Sequence, residues 1–216
     1  MMTMAAMLLA DEARNDIRLE AAIAKLWTTE MGWKIVDDCL QIRGGRGYET
    51  ADSLRERGEF PIPVERMMRD FRINRIFEGT SEIMHLFIAR EAVDTHLAVA
   101  GDMIKPGIGT GQKVAAMAKA GLWYARWFPQ RLVGSGQIPG SYGHFGPLAK
   151  HVRYVERTSR KLAREMFYAM GKHQAKLERK GKLLGRFVDI GAELYAISCA
   201  CVRAHSMASQ PHGRDA

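Results

Sequence analysis

The stretch from Arg69 to Arg90, Arg-Asp-Phe-Arg-Ile-Asn-Arg-Ile-Phe-Glu-Gly-Thr-Ser-Glu-Ile-Met-His-Leu-Phe-Ile-Ala-Arg, constrains the fold most, because it sets a bend directly ahead of a strong helix. Gly79 tolerates backbone angles that other residues avoid. Thr80 is a good N-cap, and Glu82 falls in the first turn, where the helix dipole favours negative charge. Ile83, Leu86, Phe87, Val93 and Leu97 then recur at helical spacing. Glu78 therefore stands just outside a helix N-terminus, behind the apolar pair Ile76-Phe77. A carboxylate held there and partly desolvated has a raised pKa suited to general-base work. Spacing alone more often describes a solvated glutamate near a helix start.

The helical period runs through the rest of the chain, so the fold class is all-α. A helix is predicted from Asn15 or Asp16 to about Leu40, with Ile23, Leu26, Trp27, Met31 and Ile35 as its buried stripe and Glu30 and Lys34 as an exposed i,i+4 pair. Trp27 and Trp33 read as core or helix-contact aromatics. Met1 to about Ala10 reads as the end of a helix, and Thr50 to Phe60 as a loop or short helix. Pro61 and Pro63 hold the chain extended before a helix over Val64 to Asn74, within which Arg69-Asp70 reads as an ion-pair bracket. Lys105 to Gly111 is a linker by composition and marks a boundary between units 1–103 and 104–216. Its Gly-x-Gly-x-Gly lacks the strand and the Lys-Ser/Thr of a nucleotide loop. Beyond it, helices are predicted over Gln112 to Phe128, Leu148 to Arg179 and Leu183 to Met207. The first carries Val114, Met117, Leu122 and Trp123. The last has Phe187, Ile190, Leu194 and Ile197 as its inner face. A Gly/Pro-rich loop, Pro129 to Pro147, separates the first two, and Ser209 to Ala216 reads as a frayed tail.

With 216 residues, 47% hydrophobic and 26% charged, the chain has the composition of a globular protein with one good core or two small ones. No apolar run approaches the roughly 20 residues that span a bilayer. The apolar start lacks a basic n-region and runs into Asp11-Glu12, which argues against a signal peptide. Cys39, Cys199 and Cys201, with no matching histidine cluster, make neither a disulfide framework nor a metal site, and imply a reducing compartment. The net charge of +8 is concentrated between Leu148 and Arg186, where twelve Lys or Arg face three Glu. That segment reads as a solvated face or one complementing an acidic surface. Its functional alternative is an anionic membrane surface, since basic residues flank Val152, Leu162, Met166 and Phe167. No aromatic-interleaved groove accompanies the charge, so nucleic acid is not an expected partner.

A second notable block, Gln41-Ile42-Arg43-Gly44-Gly45-Arg46-Gly47-Tyr48, has three glycines in four positions. Successive N–H groups in such a turn cradle a phosphate or close a structural turn. Together with Pro63-Val64-Glu65-Arg66 and Phe77-Glu78-Gly79-Thr80, in this order, the block resembles the C-terminal portion of acyl-CoA dehydrogenases, over roughly residues 3–100. The helical region behind is similar to that of the very-long-chain branch. Residues 50–60 are a longer segment than the family pattern carries.

The resemblance implies the second part of a helical bundle, followed by an additional helical domain. It implies Glu78 as the base that removes the α-proton of a fatty acyl-CoA thioester while the β-hydride passes to FAD. It also implies that the Glu78 amide, with Gly79, meets the substrate carbonyl; that Thr80 and Glu82 contact flavin; and that Gln41, Gly44 and Gly45 contact FAD bound mainly by a neighbouring subunit. Glu82 stands where many relatives carry Gln. Expected partners are fatty acyl-CoA, electron-transferring flavoprotein, and a second copy or the N-terminal half of such an enzyme. The expected location is the bacterial cytoplasm or the mitochondrial matrix, peripheral to a membrane in the alternative above. The N-terminal and β domains of the family have no counterpart in the sequence, so a fragment or one half of a split enzyme is expected. The alternative is a non-catalytic helical module for dimerisation or membrane binding.

Overall fold

The apolar period is realised as a succession of helices in the computed structural model, which describes residues 1–11, 16–104, 107 and 109–209. In order these are α1 (Met2–Asp11), α2 (Arg18–Arg43), the short α3 (Gly45–Tyr48) and α4 (Ala51–Glu56), α5 (Val64–Ile73), α6 (Ser81–Ile104), α7 (Thr110–Trp127), α8 (Pro129–Leu132), α9 (Ala149–His173) and α10 (Gly181–Ser209). Asn15, the linker residues Lys105, Pro106 and Ile108, and the tail beyond Ser209 lie outside the described residues. Asp16 accepts the Arg18 N–H at 3.1 Å, holding the first turn of α2.

Helices α2, α6 and α10 pack around one apolar core, with Ile23 and Leu26 of α2, Ile88 and Ala89 of α6, and Leu184, Val188 and Ala192 of α10 buried together. This core joins residues from both sides of the linker, so α10 shares its apolar surface with the helices of the first hundred residues. Burial of that shared surface is the main force holding the two stretches against each other.

Several faces are turned relative to expectation. On α2, Ile35 is 57% exposed and Val36 is buried in its place. The turn follows from Gly32, where the Phe71 ring of α5 lies so close that a Cβ would stand 2.2 Å from it. Glu30 does not pair with Lys34; it reaches Arg75 at 2.8 Å. Trp33 lies beneath the guanidinium groups of Arg72 and Arg75, at 5.4 and 5.8 Å from their carbons. Within α5, Arg69 pairs with Glu65 and Asp70 with Arg66, one turn away in each case, so Arg69-Asp70 is not a bracket. On α7, Val114, Met117 and Leu122 face outward, and the inner face is Ala120 with Trp123, Tyr124 and Trp127 packed around the buried His96. On α10, Ile190 is exposed, while Leu184, Val188 and Ala192 join Leu194 inside.

The basic helix ends earlier than predicted. Gln174 takes a positive φ of 47°, and the chain continues as a 3-10 turn, Gln174–Arg179. Many of its charges are occupied within the chain. Arg153 and Arg157 donate to the carbonyls of Ser141 and Gly136 at 2.8 and 2.7 Å, and Arg160 and Arg164 donate to those of Gln130 and Arg131. These positions recur at i, i+4, i+7 and i+11, one face of the helix. A loop dense in Gly and Pro has few carbonyl partners of its own, and the arginines supply donors to it. Phe167, expected on a membrane-facing stripe, instead joins the aromatic cluster with Tyr124 and Trp127.

Glycines in the short α3 differ in what they tolerate. A Cβ on the buried Gly47 would lie 2.6 Å from the Leu40 carbonyl oxygen, whereas one on Gly45 would meet open space. Gly47→Ala is therefore expected to lower stability by about 1–3 kcal/mol through overpacking, and Gly45→Ala to leave it within about 0.5 kcal/mol. Thermal melts of the two variants check this, and equal melting temperatures would contradict it.

Candidate functional site

The bend before α6 is tighter than glycine alone accounts for. Glu78 has φ +51° and Gly79 φ +95°, so two successive residues take left-handed angles. For a residue with a Cβ that conformation costs roughly 1–2 kcal/mol and persists where surrounding contacts fix it. Three contacts do so. Lys25 of α2 donates through Nζ to the Gly79 carbonyl at 2.5 Å. The Ser81 amide donates to the Arg75 carbonyl at 3.2 Å, closing the turn. One carboxylate oxygen of Glu30 accepts from both Arg75 Nε, at 2.8 Å, and the Ser81 hydroxyl. At Gly79 the φ of 95° strains any residue with a Cβ, and such a Cβ would also displace the flexible Met84 side chain, whose sulfur lies 2.8 Å from it.

Thr80 caps α6 as predicted, its hydroxyl accepting the Ile83 amide at 3.2 Å. Glu82 is exposed in the first turn, and its own amide and the Thr80 hydroxyl hold its carboxyl below the usual glutamate range. Glu78 is exposed as well, and its amide donates to no protein acceptor among the described residues. The desolvation expected from its neighbours is not supplied by this chain: Ile76 and Phe77 are themselves 50% and 43% exposed. The turn thus presents a carboxylate, an open N–H and a flanking apolar pair on one accessible surface.

The Gln41 block lies apart from this turn. Helix α2 runs through Gln41 to Arg43 and ends at Gly44, whose φ of 57° and ψ of −140° suit glycine alone. Sixteen residues of helix separate Lys25 from Gln41, about 24 Å along the axis at 1.5 Å per residue. Gln41, Gly44 and Gly45 are exposed, and side chains added at either glycine would meet nothing within 4 Å. Beside them the Arg43 Nε is buried with no acceptor among the described residues. Glu78, Gly79, Thr80 and Glu82 therefore lie by the stretch of α2 that carries Lys25 and Glu30, while the glycine block occupies its C-terminal end.

Sequence spacing missed the residues that hold the turn. Lys25 and Glu30 are ordinary charged positions on a long helix, and Ser81 reads as helix-start polarity. His85 and Asp189 are 104 residues apart, yet His85 Nε2 meets Asp189 Oδ1 of α10 at 2.7 Å and its Nδ1 meets the Ser81 carbonyl at 2.7 Å. No local pattern announces a contact of that separation. Among the described residues no cluster of His, Cys, Asp or Glu is arranged to hold a metal ion, and no helix is long and apolar enough to cross a membrane.

A family model described as the acyl-CoA dehydrogenase C-terminal domain matches residues 1–93. The chain is 62% identical, over 92% of its length, to the probable acyl-CoA dehydrogenase FadE10 of Mycobacterium tuberculosis, and covers 30% of that protein. It is 32% identical, over 94% of its length, to the human mitochondrial very long-chain specific acyl-CoA dehydrogenase, of which it covers 29%. The rat counterpart is 32% identical over 93% of the chain, which covers 28% of it. The chain thus spans under a third of the length of the curated relatives it matches. With an all-helical architecture and both sequence blocks in order, it belongs to the acyl-CoA dehydrogenase family, as the C-terminal portion.

Proposed function

We propose that the chain is the base-bearing C-terminal part of a flavin-dependent acyl-CoA dehydrogenase acting on fatty acyl-CoA, with Glu78 as the α-proton base. The observation that carries this reading is the turn itself, which holds an exposed carboxylate at positive φ next to an unoccupied amide. An α-C–H beside a thioester is a weak acid, so removing its proton needs a positioned base and a donor to the enolate-like oxygen. The Glu78 carboxylate supplies the first and its N–H the second. Lys25 and Glu30 keep both from relaxing to ordinary backbone angles. Residues 1–103 complete the dehydrogenase bundle and residues 104–216 form an added helical region in this reading. Further walls of the acyl pocket, which would dry and close the site, come from segments of the relatives outside the matched span.

The glycine block fits the cofactor expected of the family. Its surface is open where a Cβ would otherwise project, and the Arg43 Nε is a buried donor in need of an acceptor, as a pyrophosphate oxygen would be. Gln41, Gly44 and Gly45 would hold the adenosine-diphosphate end of FAD, and Thr80 and Glu82 would border the flavin beside the Lys25 to Glu30 stretch of α2. The separation of the two regions suits binding across a dimer, each serving a different copy of the cofactor. FAD, when bound, supplies the acceptor for the β-hydride, and electron-transferring flavoprotein would then take the electrons. The bacterial cytoplasm or the mitochondrial matrix is the corresponding location.

A second reading concerns the corner between α9 and α10, where Lys172, Lys176, Arg179, Lys180, Lys182 and Arg186 are all exposed. These charges, unlike the loop-tying arginines of α9, are open to an anionic membrane surface. Co-sedimentation with anionic vesicles is expected to fall as salt rises, and binding insensitive to salt would contradict an electrostatic contact.

For the base, Glu78→Gln in the chain joined to the N-terminal portion of a relative is expected to lower turnover by about 10²–10⁴-fold. Flavin content and oligomeric state should stay unchanged. Unaltered turnover would show that Glu78 is not the base.

A further inference from the structure

The tie between α6 and α10 lies outside the chemistry proposed for Glu78 and outside the glycine block. His85 stands one turn into α6, with Nδ1 2.7 Å from the Ser81 carbonyl and Nε2 2.7 Å from the Asp189 carboxylate. Both partners are acceptors. The imidazolium donates both contacts at once; the neutral ring donates one and leaves its other nitrogen facing an acceptor. Gly185, one turn before Asp189, brings the α10 backbone over the ring, since a Cβ there would lie 3.9 Å from His85 Cδ2. Ser81 in turn closes the Glu78 turn through its amide and shares Glu30 with Arg75. A continuous set of polar contacts thus runs from α10 to the turn.

We infer that His85 is a pH-sensitive positioning residue, through which Asp189 of α10 holds the N-terminus of α6 and the Glu78 turn in place. Its positioning role rests on the reading of Glu78 as the base; the tie itself does not. Asp189 faces the imidazole from α10, Glu30 from α2 and Glu82 from α6 itself, with Arg75 of the turn as the neighbouring cation. Partial burial pulls the His85 pKa down, but the hydrogen bonds to Asp189 and the Ser81 carbonyl outweigh it and leave the pKa above the ordinary histidine value. The sign follows from linkage. A folded-state pKa above the unfolded one gives a contribution that is full below about pH 6.5 and is lost as pH rises through the folded value. Asp189 is largely exposed, at 65% for its side chain, so the contribution is that of a partly solvated pair.

The test uses the 216-residue chain without flavin or substrate, so its failure is separate from failure of the base assignment. Imidazole NMR titration is expected to place His85 above the ordinary histidine pKa. Amide exchange at Ser81, Ile83 and Met84, corrected for the intrinsic effect of pH, is expected to quicken about three- to fivefold as that titration is crossed, the range set by a partly exposed ion pair. Asp189→Ala should give the faster exchange at all pH values and lower the His85 pKa, with α7 amides unchanged, and Asp189→Glu should restore both. His85 titrating at or below the ordinary value would overturn the proposal without recourse to any variant. Identical exchange at these amides in Asp189→Ala and wild type would overturn it too.

Discussion

The structure around Glu78 depends on one carboxylate oxygen of Glu30. It accepts from the Arg75 guanidinium and from the Ser81 hydroxyl, and these residues lie at the two ends of the bend. A carboxylate bridging two donors in a half-buried setting makes strong, directional hydrogen bonds, because one partner is charged and water is partly excluded. Without such a clamp a glutamate and a glycine with successive positive φ angles would relax toward an ordinary turn. Lys25 adds a second hold from the same helix, on the Gly79 carbonyl. Helix α2 therefore acts as a rigid rail, with the Glu78 turn anchored toward its start and the Gln41 to Gly45 block formed at its end.

Helix α10 is bound to this rail by both apolar burial and polar contacts. Leu184, Val188 and Ala192 of α10 enter the core that α2 and α6 build, and Trp27 of α2 donates to Glu193 of α10 at 3.1 Å. Farther along, the basic character of α9 divides by function. One row of arginines ties down the glycine-rich loop from inside, and the lysine-rich corner toward α10 faces outward. Net charge by itself would merge these two groups, although the first is occupied by carbonyl acceptors.

Much of this was legible in the sequence, and the failures share a cause. The helix after Thr80, its cap and the three helices behind the linker follow from local period and capping chemistry, and the structure has them; the entry at Pro61 to Pro63 is not extended as expected but makes tight turns, with Pro63 at ψ 57° and the Val64 amide bonded to the Ile62 carbonyl. Faces were harder. Ile35, Ile190 and Leu122 are apolar at helical spacing yet point outward, because the neighbours that select a face are set by contacts such as Gly32 with Phe71. Glu30 has Lys34 at the right spacing for a surface pair, but a tertiary partner 45 residues away prevails. The positive φ of Glu78 was hidden for a similar reason: glycine next to it explains a bend locally, and the contacts that force the second angle come from α2 and from beyond the turn. The site residues themselves, Glu78 and the glycines, came from motif resemblance, and their geometry came from long-range packing.

With Glu78 as the proposed base, this turn is one part of a flavin site completed by other segments. The most direct measurement is the visible absorption spectrum of the chain mixed with the N-terminal portion of the mycobacterial relative and FAD. Flavin bands are expected to travel with the complex and to bleach when a fatty acyl-CoA is added, as the base assignment requires. Bound flavin that stays oxidised in the presence of acyl-CoA would contradict it.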